Sequence, residues 1–132
     1  MPFKKHPVLQ EFDRLSNSIF EFYHEIAMRQ GLSDSAYAIL QSILVLGNGC
    51  TQTEIYKYTL LNKQTVNSSV KKLRQEGMVE FQPGKGREIK LYLTSQGKSL
   101  VDEKILPIEE QREILRLLGK YLDSFRKKVE RI

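Results

Sequence analysis

The run Lys63-Gln64-Thr65-Val66-Asn67-Ser68-Ser69-Val70-Lys71-Lys72-Leu73 carries the side chains with the most to offer chemically. Val66, Val70 and Leu73 recur at helical spacing and mark an inward face, which leaves lysines, amides and hydroxyls facing outward. Ammonium groups neutralise phosphates, and Gln and Asn amides can pair with the edge of a base, adenine above all. A second basic group, Lys85 and Arg87, sits in the Pro83-Gly84-Lys85-Gly86 turn and the residue after it. The pattern is one for binding a polyanion.

Catalysis finds little support. The sequence holds no phosphate-binding glycine loop, no Ser/His/Asp or Cys/His arrangement with family spacing, and no suggestive pair of carboxylates. One cysteine (Cys50) and two histidines (His6 and His24) are too few and too scattered for a metal site or an intrachain disulfide. Neither an enzyme nor a cofactor is expected. Cys50 precedes a helix start, which could activate its thiol; a buried, inert cysteine is the alternative.

Charge is clustered. Of 21 basic and 16 acidic residues, nine basic and four acidic lie between Cys50 and Lys98, so that segment holds the whole net charge of +5 and the remainder is balanced. A scattered excess would serve solubility alone, whereas a cluster suits nucleic acid. No run approaches the roughly 20 apolar residues of a membrane span, and the first residues lack the apolar stretch of a signal peptide. A cytoplasmic location away from membranes is expected.

The positioning elements can be read in order. Val8, Phe12, Leu15, Ile19, Phe22 and Ile26 form an apolar stripe on a first helix. Ser33 caps a second that runs to Gly47. Thr51-Gln52-Thr53-Glu54 is a capping box opening a short third, and Asn62 caps a fourth that ends near Gly77. Two helices about three residues apart have the spacing of a helix-turn-helix. Met78 to Gln82 and Ile89 to Leu93 read as two strands of a hairpin with a basic tip. Thr94 caps a fifth helix, and Pro107 must break it or start a sixth. There Ile114, Leu118, Tyr121, Phe125, Val129 and Ile132 make a second long stripe.

The fold class expected is therefore mainly α with a small β-hairpin, a winged helix-turn-helix flanked by N- and C-terminal dimerisation helices. At 132 residues it reads as a single domain, with a DNA-binding lobe at 33–98 and dimerisation helices at 8–30 and 99–132. Two long apolar stripes on the end helices exceed what a lobe of this size can cover, and a second copy of the chain would bury them by two-fold symmetry. Val8, Phe12, Leu15 and Ile19 on the first stripe and Leu118, Tyr121, Phe125 and Val129 on the last are the candidate dimer residues. The alternative is that both helices fold back on their own chain.

The run Leu61 to Leu73, then Gln75-Glu76-Gly77-Met78-Val79, then Leu93-Thr94-Ser95-Gln96-Gly97, resembles the multiple-antibiotic-resistance regulator (MarR) family. The resemblance implies a homodimeric transcriptional regulator, a repressor, binding a pseudo-palindromic site in double-stranded DNA. The helix at 62–76 would enter the major groove and the wing at 83–88 the minor groove. Carried over residue by residue, it implies DNA contacts for Lys63, Gln64, Thr65, Asn67, Ser68, Lys71, Lys72, Lys85 and Arg87. Arg87 matches the family's wing arginine, a solvated hairpin arginine being the alternative. Relatives often bind a small-molecule effector in a crevice beside the dimerisation helices; Tyr23 and Tyr37 are candidates to line one, against the alternative of core packing. The rival function is a winged helix that binds proteins and not DNA, and the polar outward face of the fourth helix speaks against it.

Departures from the family pattern stand out. Lys85 replaces a usual acidic residue two positions before the wing arginine, so the wing is expected to be held differently. Tyr56 stands where a small alanine is usual, and Ser69 where a larger apolar residue is common; the two could compensate in volume.

Overall fold

The computed structural model describes residues 4–103 and 106–131. Six helices and three short strands follow one another: α1 (Pro7–Arg29), α2 (Asp34–Leu46), β1 (Cys50–Thr51), α3 (Gln52–Thr59), α4 (Lys63–Gln75), β2 (Val79–Pro83), β3 (Ile89–Leu93), α5 (Ser95–Glu103) and α6 (Ile108–Val129). The chain divides into two compact units, Ile26–Leu106 and Met1–Glu25 with Pro107–Ile132. The first contains the expected lobe and takes in α5 and the last turn of α1 as well.

The caps read from the sequence all form. The Ser33 hydroxyl accepts from Ala36 N–H and the Asn62 amide oxygen from Thr65 N–H. Thr51 and Glu54 exchange both bonds of a capping box. Each cap satisfies a helix-start N–H that would otherwise lack a partner. Pro107 immediately precedes α6, where its missing N–H removes nothing the helix needs.

In the larger unit Ile39, Leu40 and Ile43 of α2, Ile55 of α3, Val66, Val70 and Leu73 of α4, and Leu91 of β3 are almost fully shielded from water. They form the core on which α3 and α4 rest. The sheet runs in the order β1-β3-β2, antiparallel throughout, with Cys50 opposite Leu91 on one side of β3 and Phe81 opposite it on the other. β1 is a strand that periodicity could not show: two residues carry no alternation, and Thr51 doubles as the α3 cap.

The Leu-Thr-x-x-Gly motif gains a physical explanation here. The Thr94 hydroxyl donates to the Gly77 carbonyl at 2.5 Å and accepts from Gly97 N–H at 3.1 Å, so it caps α5 while gripping the turn after α4. Thr94 N–H donates to the Met78 carbonyl at 3.1 Å. A Cβ at position 97 would lie 2.0 Å from that same carbonyl oxygen, a separation no side chain tolerates. Glycine is needed there because backbone meets helix.

In the smaller unit α1 opens with Val8 N–H donating to His6 Nδ1, and an ion pair joins Lys5 to Asp13. Glu11 of α1 accepts from Lys128 of α6 at 2.6 Å and from Ser124 at 3.5 Å. The lysine holds the Glu11 carboxyl below its usual range. Tyr121 stacks on Phe125 one turn away, ring centroids 5.3 Å apart. Burial, followed by the nearby Glu11 carboxylate, pushes the Tyr121 phenol up.

Candidate nucleic-acid interface

The candidate surface is built on α4. With Val66, Val70 and Leu73 fixed in the core, helical geometry turns Lys63, Gln64, Asn67, Ser68, Lys71 and Lys72 to solvent, and all six are exposed. Thr65 is half-buried, its N–H committed to the Asn62 cap. The Ser68 hydroxyl donates back to the Gln64 carbonyl at 2.7 Å, leaving its lone pairs available. Among the described residues none of Lys63, Lys71 or Lys72 is held in an ion pair, so their charge faces outward uncompensated.

α3 contributes one wall. Gln52, Thr53 and Tyr56 of α3 face Lys63, Gln64, Val66 and Asn67 of α4 across an open groove of about 500 Å³. The Lys63 ammonium sits over the Tyr56 ring, 5.1 Å from its centroid. By sequence alone Tyr56 is a volume change that Ser69 could offset. The structure corrects this: the Ser69 hydroxyl is hydrogen bonded to Ser35 of α2 at 2.8 Å and lines a different cleft, with Gly31, Ala36 and Lys72. The two residues do not share a space to fill.

At the other end of α4, the Arg74 guanidinium lies over the Phe81 ring of β2, 4.5 Å from its centroid, and ties the helix to the hairpin. The wing turn is closed by backbone: Gly84 N–H donates to the Glu88 carbonyl at 2.9 Å and Glu88 N–H to the Lys85 carbonyl at 3.1 Å. Gly86, with φ +61°, supplies the left-handed residue this turn requires. Because the Lys85 carbonyl closes the turn, its side chain is not needed for that purpose. Lys85 and Arg87 are both exposed at the tip, and among the described residues neither has an ion-pair partner.

The MarR family model matches residues 30–88, from the end of α1 to the wing tip. Over that segment the chain is similar to the MarR family, and its fold is a winged helix. Solved MarR-family structures resemble the chain well beyond it. MarR of E. coli in its apo form is 16% identical, with a TM-score of 0.72 over 96% of this chain and 98% of that one. A MarR transcriptional regulator from Methanosarcina mazei Go1 is 18% identical, with a TM-score of 0.61 over 93% and 82%. BpsR of Bordetella bronchiseptica, whose DNA binding is regulated by 6-hydroxynicotinic acid, is 16% identical, with a TM-score of 0.63 over 91% and 84%. At these identities the likeness concerns the fold. No curated protein sequence matches the chain.

The remaining candidates fall in several places. Cys50 is buried, and loss of water, reinforced by the Glu54 carboxylate, pushes its thiol up to about 11, so the activated-thiol reading does not hold. Tyr37 is buried in the larger unit and Tyr23 is half-buried. Of the candidate dimer residues, Val8 is buried, Leu15, Ile19, Leu118, Tyr121 and Phe125 are half-buried, and Phe12 and Val129 are exposed. Ile132 lies outside the described residues. The open apolar stripe on α6 shares only Val129 with the expected one: Ile108, Leu115, Leu122 and Val129 are 66%, 66%, 58% and 41% exposed. They recur at every seventh residue, a signal present in the sequence but hidden behind the denser stripe beside it. Leu9, Phe12 and Phe20 are exposed along α1. Among the described residues no helix is long and apolar enough to cross a membrane.

Proposed function

We propose that the chain is a sequence-specific regulator of transcription that binds double-stranded DNA as a homodimer. The observation that carries this reading is the outward face of α4, a set of amides and uncompensated lysines on a helix locked to a family winged helix. Gln64, Asn67 and Ser68 would address base edges in the major groove, while Lys71 and Lys72 neutralise phosphate. Arg87 at the wing tip would enter the minor groove, where a planar cation suits the negative potential of a narrow A·T stretch, with Lys85 on the adjacent phosphate.

The heptad stripe on α6 and the exposed leucine and phenylalanines of α1 support self-association. Large apolar side chains at such spacing gain about 1.5 to 3 kcal/mol each when covered, and a second copy presents the same face. A two-fold pair would prefer half-sites about one helical turn, roughly 34 Å, apart. Bound across a promoter in the cytoplasm, it would act as a repressor. A small-molecule effector belongs to this reading, with its chemistry open to a ligand screen by thermal shift.

Selection of bound fragments from random duplexes, followed by salt titration of the winners, tests the proposal. A pseudo-palindromic consensus whose affinity falls steeply with salt is expected. No enrichment of any duplex at low ionic strength overturns it.

A further inference from the structure

The groove between α3 and α4 has a chemistry distinct from the rest of the recognition face. Its apolar lining is the Tyr56 ring and Val66, and its polar lining includes the Lys63 ammonium and the amides of Gln52, Gln64 and Asn67. The ammonium is held beside the ring by a cation–π contact, 5.1 Å from the centroid, so a cationic donor and an aromatic surface are offered side by side. Among the described residues Lys63 has no ion pair. Its ammonium hydrogens are therefore free to donate to an outside acceptor.

Resting on the DNA-binding reading above, we infer that Tyr56 and Lys63 together read a thymine in each half-site, the ammonium donating to O4 and the ring packing against the C5-methyl. In the major groove only thymine shows an acceptor and a methyl on neighbouring ring carbons. Cytosine places an amino donor against the ammonium, and adenine does the same with N6. Guanine offers acceptors but leaves the aromatic ring with no methyl to cover it. Tyr56 thus becomes a determinant of specificity on α3, outside the helix that the sequence assigns to recognition.

The test uses the full chain and an operator obtained by selection. Each thymine of a half-site is replaced in turn by deoxyuridine, which removes the methyl alone, and by 5-methylcytosine, which keeps the methyl but exchanges O4 for an amino group. At one thymine per half-site, deoxyuridine is expected to weaken binding about fourfold, the value of one buried methyl. Tyr56→Phe keeps that penalty, and Tyr56→Ala and Tyr56→Gln abolish it. Lys63→Met reduces discrimination against 5-methylcytosine at the same position and keeps the methyl effect. Ile55, not Tyr56, anchors α3 in the core, so these variants should fold, which circular dichroism verifies. Tight operator binding with no methyl penalty, or with one that survives loss of the ring, overturns this inference alone. Absence of binding to any duplex overturns the regulator reading beneath it.

Discussion

The two units differ in how much of a buried core each builds for itself. In the unit spanning Ile26–Leu106, residues from α2, α3, α4 and β3 meet around one core and are almost completely dry. Among the described residues of the unit formed by the chain ends, Val8 and Ile114 are the buried apolar ones, each 7% exposed, while four large side chains on one line of α6 face water. The first unit has a dry core of its own, with Met28, Leu44, Val45, Tyr58 and Leu60 left exposed around it. The second is shaped for something it does not itself contain.

The contrast can be broken at its firmest point first. Gly97→Ala forces a methyl into the Met78 carbonyl, and a loss of about 3 kcal/mol of stability is expected in chemical denaturation, because neither backbone nor helix has room to yield. An alanine variant as stable as wild type would show that the close approach between α5 and the post-α4 turn is not needed.

Next in size is Leu115→Lys with Leu122→Lys. Removing two apolar anchors should weaken self-association more than a hundredfold in sedimentation equilibrium, at roughly 1.5 kcal/mol or more per side chain, with thermal unfolding of the larger unit unchanged. Unaltered mass would show that another face joins the copies.

Within the larger unit the wing and the recognition helix should separate. Arg87→Ala is expected to cut affinity about tenfold for all duplexes and lower the salt slope by about one, whereas Asn67→Ala relaxes base preference. Equal effects of the two on specific and random DNA would contradict the division of labour.

Smallest is the pair between Glu11 and Lys128. Because the folded carboxyl titrates below its ordinary 4.5, the stabilisation is complete above that value and disappears as pH falls through the lower folded pKa. Glu11→Gln should therefore melt below wild type at neutral pH, with the difference vanishing in acid. A gap that persists in acid would assign the effect to packing.

Much of this architecture was legible in the sequence because local chemistry and tertiary packing agree in the larger unit. Ser33, Thr51, Asn62 and Thr94 cap the helices they precede, and Val66, Val70 and Leu73 are dry as their spacing predicts. β1 escaped because its pairing is settled by Leu91, forty-one positions away from Cys50, and not by any local pattern. The roles of Tyr56 and Ser69 escaped for a related reason. Which cleft a side chain lines depends on how α2, α3 and α4 cross, and single-chain spacing carries no such information. On α6 two apolar lines run side by side, and helical periodicity marks both without saying which is covered.

The hairpin is anchored at its root and released at its tip. Near the root, Asn48 accepts from Leu93 N–H at 3.0 Å, Gly49 donates to the Leu91 carbonyl, and Thr94 grips the Gly77 carbonyl. Beyond Lys90, β3 has lost β1 and keeps only β2 beside it. Mechanically this is a cantilever: deuterium uptake should quicken stepwise from Leu93 toward Gly86, and the guanidinium at the free end can follow a duplex as it breathes while the base stays still.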